Sequence, residues 1–226
     1  MKASQLFDLP KTLPFEVFFE ADKPVWEWLP LIKVALENFD FSAQDSLKDI
    51  PPGVSINGKV YIHPTVNLPP FAAINGPAYI GAHTEIRPGC YIRGNVIVGE
   101  GCILGNSCEY KNCLLMDHVE TPHYNYVGDS ILGSRSHLGA GVILANLRLD
   151  RAEVKVKTAS GLVSTGLRKF GAILGERAEV GCNAVIQPGS ILGRHSVVMS
   201  TMAFSGILPD NHVALSTERT SVKPRK

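Results

Sequence analysis

The stretch INGPAYIGAHTEIRPGCYIRGNVIVGEGCIL, residues 74–104, places an aliphatic residue at every sixth position: Ile74, Ile80, Ile86, Ile92, Val98 and Leu104. Extending the step backwards reaches Ile50, Ile56, Ile62 and Leu68, and forwards Tyr110 and Met116, so ten of twelve sampled positions are Ile, Leu or Val. Four residues beyond each lies a smaller or β-branched partner, among them Val54, Ala72, Ala78, Thr84, Cys90, Val96, Cys102 and Cys108. A strict period of six with this two-position signature is the hexapeptide repeat of a parallel β-helix. Each hexad supplies one short strand and one turn, and three hexads close one triangular coil. The turn residues agree: NG at 57 and 75, PG at 88 and 188 and GEG at 99–101 fall between strand positions, where positive φ or a tight bend is cheap. Coils stack by strand pairing about 4.8 Å apart.

A second run keeps the period at Leu132, Leu138, Leu144, Leu174, Val180, Ile186, Leu192, Val198 and Phe204. Met116 to Leu132 is 16 residues, not a multiple of six, which predicts a register break in the segment ETPHYNYVGDS, residues 120–130, containing His123. The charged stretch between Leu144 and Leu174 predicts an arm projecting from the prism over about 147–168. The organisation expected is a partly helical N-terminal segment over 1–49, a β-helix over 50–210 and a basic tail over 211–226. PLIKVALENF predicts a short amphipathic helix with Pro30 at its first position and Leu31, Val34, Ala35 and Phe39 on one face. Its expected task, with Trp26 and Trp28, is to cover the open strand edges where the stack ends.

Composition bounds the function classes. The 226 residues are 45% hydrophobic and 19% charged, ordinary for a globular chain. No signal-peptide pattern and no run of about 20 apolar residues occurs, so a cytoplasmic location without a membrane partner is expected. Five cysteines without C-x-x-C spacing suggest reduced thiols, and Cys90, Cys102 and Cys108 at the small-residue position read as compact core residues. Residues 1–49 hold 9 acidic and 5 basic side chains, net −4, whereas 50–226 hold 12 acidic and 17 basic, net +5. A mildly basic body suits phosphorylated small molecules; no Lys/Arg tract interleaved with aromatics points to nucleic acid.

Arg93 and Lys111 are 18 residues apart, hence on neighbouring coils, and two stacked cations predict either a bound anion or two independent solvated side chains. His123 follows with Tyr124, Asn125 and Tyr126 beside it. Imidazole is the side chain whose ordinary protonation range brackets neutral pH, which suits a general base.

GNSCEYKN, PHYNYVGDSILG and HLGAGVILANLRLD resemble the left-handed β-helix acetyltransferase domain of bifunctional N-acetylglucosamine-1-phosphate uridyltransferase/glucosamine-1-phosphate acetyltransferases. With RKFGAILGERAEVG they are closer still to archaeal sugar-1-phosphate nucleotidylyltransferases that also acetylate amino-sugar phosphates. The resemblance covers about residues 80–210, and it supplies the left hand of the coil, since general crossover statistics favour the right. It implies an acetyl-CoA-dependent N-acetyltransferase acting on an amino-sugar phosphate, working as a homotrimer with no resident metal. By position it implies His123 as catalytic base, Asn146 against the acetyl group or amine, and Arg93, Lys111 and Tyr126 on the sugar phosphate. Ala140 matches a residue whose backbone holds the thioester. Arg168 and Lys169 are basic residues expected to meet coenzyme A phosphates, as is the basic tail. His137 stands where the bacterial family has a substrate-binding asparagine, and Leu147 where it has tyrosine, which leaves the acceptor open. Arg151, Lys155 and Lys157 are candidates for the family's substrate-binding lysine. Forty-nine residues before the repeats are too few for a nucleotidyltransferase domain, so no pyrophosphorylase activity is expected.

Two alternatives remain at this level. His83, His118 and His123 have spacings close to those of the γ-class carbonic anhydrases, which share the fold and hold a metal with three histidines. The departures at His137 and Leu147 also fit a non-catalytic scaffold that binds sugar nucleotides.

Overall fold

The computed structural model describes residues 1–44, 49–158 and 161–216, so the tail segment 217–226, with its basic residues, lies outside the described residues. The hexads wind into a left-handed parallel β-helix of about nine turns. Val60–Ile62 pairs with Ala78–Ile80, which pairs with Val96–Val98, each partner 18 residues on, and the ruler residues point inward. The prism has three faces. One carries Tyr91–Ile92, Ile143–Leu144 and Val185–Ile186. The second carries Glu85–Ile86, Ile103–Asn106, Glu120–His123, His137–Leu138 and Glu179–Val180. The third carries the three-residue strands Val96–Val98, Ala172–Leu174 and Ser190–Leu192.

Corners are made by left-handed residues that repeat the ruler: Gly89, Asn95, Gly101, Ser107, Asn112, His118, Tyr124, Asp129, Arg135 and Gly141 all have positive φ. The interval is six except before Asn112 and before Asp129, where it is five. The register accordingly shortens from 18 to 17: Val98 pairs with Leu115, Leu104 with Thr121, and Val127 with Leu144. The register break expected within 120–130 is there, at Asp129 and not at His123, and a second one, which the spacing did not separate, lies one coil earlier at Asn112. Residues 120–127 keep the period, with Thr121 and Val127 inward, and one residue is lost at each of two corners, Asn112 and Asp129. There the strands Glu109–Leu115 and Tyr126–Leu132 run through the corner from the first face to the third. Met116 is buried, but in the layer outside the prism.

That layer corrects the expected role of the N-terminal segment. The third face is apolar outside as well as inside: Tyr79, Ile97, Leu114, Ile131, Ile173 and Ile191 point outward and are all buried. Residues 1–44 lie along this face instead of capping the end of the stack. The helix α1, Trp28–Glu37, buries Trp28, Leu29, Ile32, Ala35 and Leu36, while Val34 is exposed, so its buried face is rotated from the predicted one and Pro30 is the third residue. Tyr79 receives the edge of Phe15 at 5.2 Å and stacks on Tyr61 at 4.9 Å.

The arm does not project either. It is an antiparallel hairpin, Lys155–Thr158 with Gly161–Ser164, whose Val154 and Val156 are buried in the same outer layer. It leaves the prism after Asn146 and returns at Phe170, whose N–H donates to the Asn146 carbonyl. The prism itself continues past residue 210, since Val213–Ala214 pairs with Val197–Val198. At its other end Ile50 is largely exposed and Gly53–Asn57 is the first strand.

Candidate active site

Inside the prism the one sampled position that breaks the aliphatic ruler, Tyr110, is matched by buried polar partners. Tyr110 is fully buried, and its hydroxyl lies 2.6 Å from the Thr121 hydroxyl and accepts from Gly105 N–H. Beside it the buried Asn125 donates to Gly139 O at 2.8 Å and accepts from His123 N–H at 3.3 Å. Asn125 N–H points at Cys108 Sγ, 3.1 Å away. A buried polar group without partners is costly, so this satisfied set fixes one backbone arrangement. The backbone it fixes is that of His123 and Tyr124 at the corner between the second and first faces.

His123 is exposed, and among the described residues its ring has no hydrogen-bond or ion-pair partner. It pairs with Asn106 on the coil before, and Ala140 holds the equivalent place on the coil after. Tyr126 follows three residues later on the first face, at most about 10 Å along the chain.

Arg93 and Lys111 do stack on neighbouring coils, since Ile92 pairs with Tyr110. Neither is left to repel the other. Arg93 donates to Glu109 Oε1 at 2.6 Å, and Lys111 Nζ donates to Asp129 Oδ2 at 3.4 Å. Three consecutive coils then place Asn112, Asp129 and Asn146 at one corner. Asn112 Nδ2 donates to Asp129 Oδ1 at 3.0 Å; Asn146 Nδ2 donates to Asp129 Oδ2 at 2.5 Å and to the Tyr126 hydroxyl at 3.2 Å. Burial, and then the nearby carboxylates of Asp129 and Glu109, push the Tyr126 phenol above its ordinary range and keep it protonated.

Sequence reasoning assigned no role to Glu109, Asn112, Gly128, Asp129 or Asn125. The signal was available: Asp129 is 17 residues beyond Asn112 and 17 before Asn146, one coil each way once the register has shortened. Gly128 belongs here because a Cβ would come within 2.5 Å of the Tyr126 hydroxyl and 2.9 Å of Asn146 Nδ2. Above it, Ala145, Leu147, Arg148 and Gln187 line a groove of about 580 Å³.

The remaining predicted residues are not all brought together. Lys169 bridges to Leu147 and thus lies beside Asn146, with Arg168 next to it, both exposed. His137 sits away from His123, toward the opposite edge of the second face, bonded to Glu179 Oε2 at 3.0 Å in a cleft with His118, Glu120 and Arg135. Lys157, on the hairpin, lines a cleft with Leu6 and Ile207. His83 and His118 occupy corner positions, and among the described residues no three His, Cys, Asp or Glu side chains converge on one point.

The stacked hexads and their left-handed corners make this a hexapeptide-repeat β-helix protein. Within that class it is similar to the C-terminal part of bifunctional sugar-1-phosphate nucleotidylyltransferase/acetyltransferases. Residues 74–166 match the family described as GMPPB C-terminal domain. The bifunctional sugar-1-phosphate nucleotidylyltransferase/acetyltransferase of Sulfurisphaera tokodaii is 36% identical over 187 residues, 82% of this chain and 46% of the relative. The bifunctional protein GlmU of Methanococcus vannielii is 37% identical over 99 residues, 44% of this chain and 24% of the relative. The chain thus spans less than half the length of these curated relatives. Among solved structures, the acetyltransferase domain of PglB from Neisseria gonorrhoeae in complex with acetyl coenzyme A has a TM-score of 0.41 at 16% identity, covering 61% of this chain and 53% of that one.

Proposed function

We propose that this protein is an acetyl-CoA-dependent N-acyltransferase acting on an amino sugar that carries a phosphate or a nucleotide. The observation that carries the reading is His123: an exposed imidazole, free of partners among the described residues, on a corner whose backbone is fixed by the buried Asn125. Ala140 lies directly above it and Tyr126 on the adjoining face. The name of the Sulfurisphaera tokodaii relative, which joins nucleotidylyl transfer to a sugar 1-phosphate with acetylation, supports the same substrate class.

In this reading the acceptor amine attacks the thioester carbonyl of acetyl-CoA directly. His123 takes the proton released from nitrogen, the tetrahedral intermediate collapses with cleavage of the C–S bond, and the proton passes to the departing thiolate. The Ala140 N–H, which meets no acceptor among the described residues, stabilises the oxyanion. Arg93, Lys111 and Tyr126 hold the phosphate-bearing end, with Glu109 releasing part of its hold on Arg93 while Asp129 stays in place. The coenzyme lies along the groove above Ala145, its phosphates toward Arg168 and Lys169. A homotrimer sets one prism against the next; the exposed Tyr124 beside His123 and Ile143 one coil above Tyr126 support that contact.

The test is thiol release from acetyl-CoA with amino-sugar phosphates and nucleotide-linked amino sugars, on protein first sized by light scattering. His123→Ala is expected to lower kcat by about 10²–10⁴-fold. Turnover untouched by that change sinks the assigned base, a monomer removes the intersubunit site, and no turnover with any amine favours the scaffold reading.

A further inference from the structure

Asn146 is a primary amide, and the end left without a partner decides what it can recognise, because its nitrogen donates two hydrogen bonds and its oxygen only accepts. Both N–H bonds are committed: one to Asp129 Oδ2 at 2.5 Å, the other to the Tyr126 hydroxyl at 3.2 Å. An ionised carboxylate offers only acceptors, so the reversed amide would set its oxygen against that of Asp129. Asp129 cannot turn away. Its side chain is 7% exposed, and Lys111 Nζ and Asn112 Nδ2 hold it at 3.4 and 3.0 Å. Asn146 is half-buried, between Ala145 and Leu147 in the chain, and no described residue donates to its Oδ1.

We propose that Asp129 is a positioning residue that fixes the Asn146 amide with Oδ1 toward the acceptor, and so makes the site select a primary amine. This rests on the acyltransferase reading above. The attacking nitrogen must keep one N–H on Asn146 Oδ1 while a second proton goes to the base. A primary amine has both hydrogens. A hydroxyl in the same place has one, and cannot serve both. The locked amide therefore disfavours O-acylation and hydroxyl analogues, and Asp129 does this without touching substrate.

The experiment pairs Asp129→Asn with Asp129→Glu. Asparagine tolerates the left-handed φ of 48° at this corner, so the first variant is expected to fold. With an amide in place of the carboxylate, either orientation of Asn146 finds a partner. Calorimetric affinities for an amino sugar phosphate and for its hydroxyl isostere are expected to differ about tenfold or more in the wild type and to converge in Asp129→Asn, with acetyl-CoA affinity unchanged. Asp129→Glu is expected to restore part of the difference. Equal weakening of both acceptors together with acetyl-CoA would mean a merely structural corner and overturns the proposal. The side-chain NH₂ of Asn146, assigned by its loss in Asn146→Asp, reports on the lock without turnover. It is expected to exchange slowly with solvent in the wild type and quickly in Asp129→Asn; equal rates overturn the lock. A slow amide in a protein that binds no amine at all would instead refute the acyltransferase reading, and with it the selectivity.

Discussion

A methyl group added at Gly128 would lie 2.5 Å from the Tyr126 hydroxyl and 2.9 Å from the Asn146 amide nitrogen. The glycine is there for space, since the phenol and the amide occupy what would be its side chain. Gly128→Ala is expected to part the Tyr126 phenol from the Asn146 amide and push that amide off Asp129 while leaving the prism interior intact. In the acyltransferase reading kcat/KM for the acceptor falls about tenfold or more with little change in melting temperature; an unchanged kcat/KM would remove Tyr126 and Asn146 from the site. At this scale the sequence was partly legible. His123, Tyr126 and Asn146 stand out as a pattern. The carboxylates of Glu109 and Asp129 did not, because their partners, Arg93 and Lys111, lie 16 and 18 residues away and only the winding brings them into reach.

Among the elements, the N-terminal segment departs most from its sequence reading. A helix pattern shows which residues are apolar, but not what they lie against. The surface α1 meets is written in the sequence as a third apolar ladder, Ile97, Leu114, Ile131, Ile173 and Ile191, one on each pass of the chain across the third face. Such a ladder on an outward position demands a cover, and the N-terminal segment and hairpin supply it. Ile32, fully buried on the inner face of α1, is the sharpest probe. Ile32→Ala is expected to cost about 2–5 kcal/mol in urea denaturation; a loss below about 0.5 kcal/mol would mean the segment does not pack on the prism in solution.

For the whole molecule, four of five cysteines are buried, and only Cys182 is exposed. Burial pushes the thiols of Cys90, Cys102, Cys108 and Cys113 up, that of Cys102 to about 12. An unfolded thiol ionises near pH 8.5. The stabilisation is therefore fully present below that pH, and it is lost as pH rises from there through the folded values, because the unfolded chain then binds fewer protons than the fold. Each thiol contributes a slope of about 1.4 kcal/mol per pH unit in that window. Urea midpoints are expected to fall between pH 8 and 10, and an aromatic disulfide reagent at pH 8 is expected to titrate one thiol in the native protein and five in urea. Four reactive thiols in the native state, or a flat midpoint, would contradict the buried column.

The period of six determined the prism, its inward residues and the place of the cysteines there, because a coil repeats its environment every third hexad whatever surrounds it. It did not determine where the period contracts. The loss of one residue at Asn112 and again at Asp129 is visible only as a shortfall between Tyr110 and Leu132, and the sequence cannot say which corner absorbs it. Tertiary structure decided that both losses fall at the same corner on successive coils, where strands run unbroken from face to face. That choice sets Asp129 between Lys111, Asn112 and Asn146, since a carboxylate buried at a corner is tolerable only where three donors surround it.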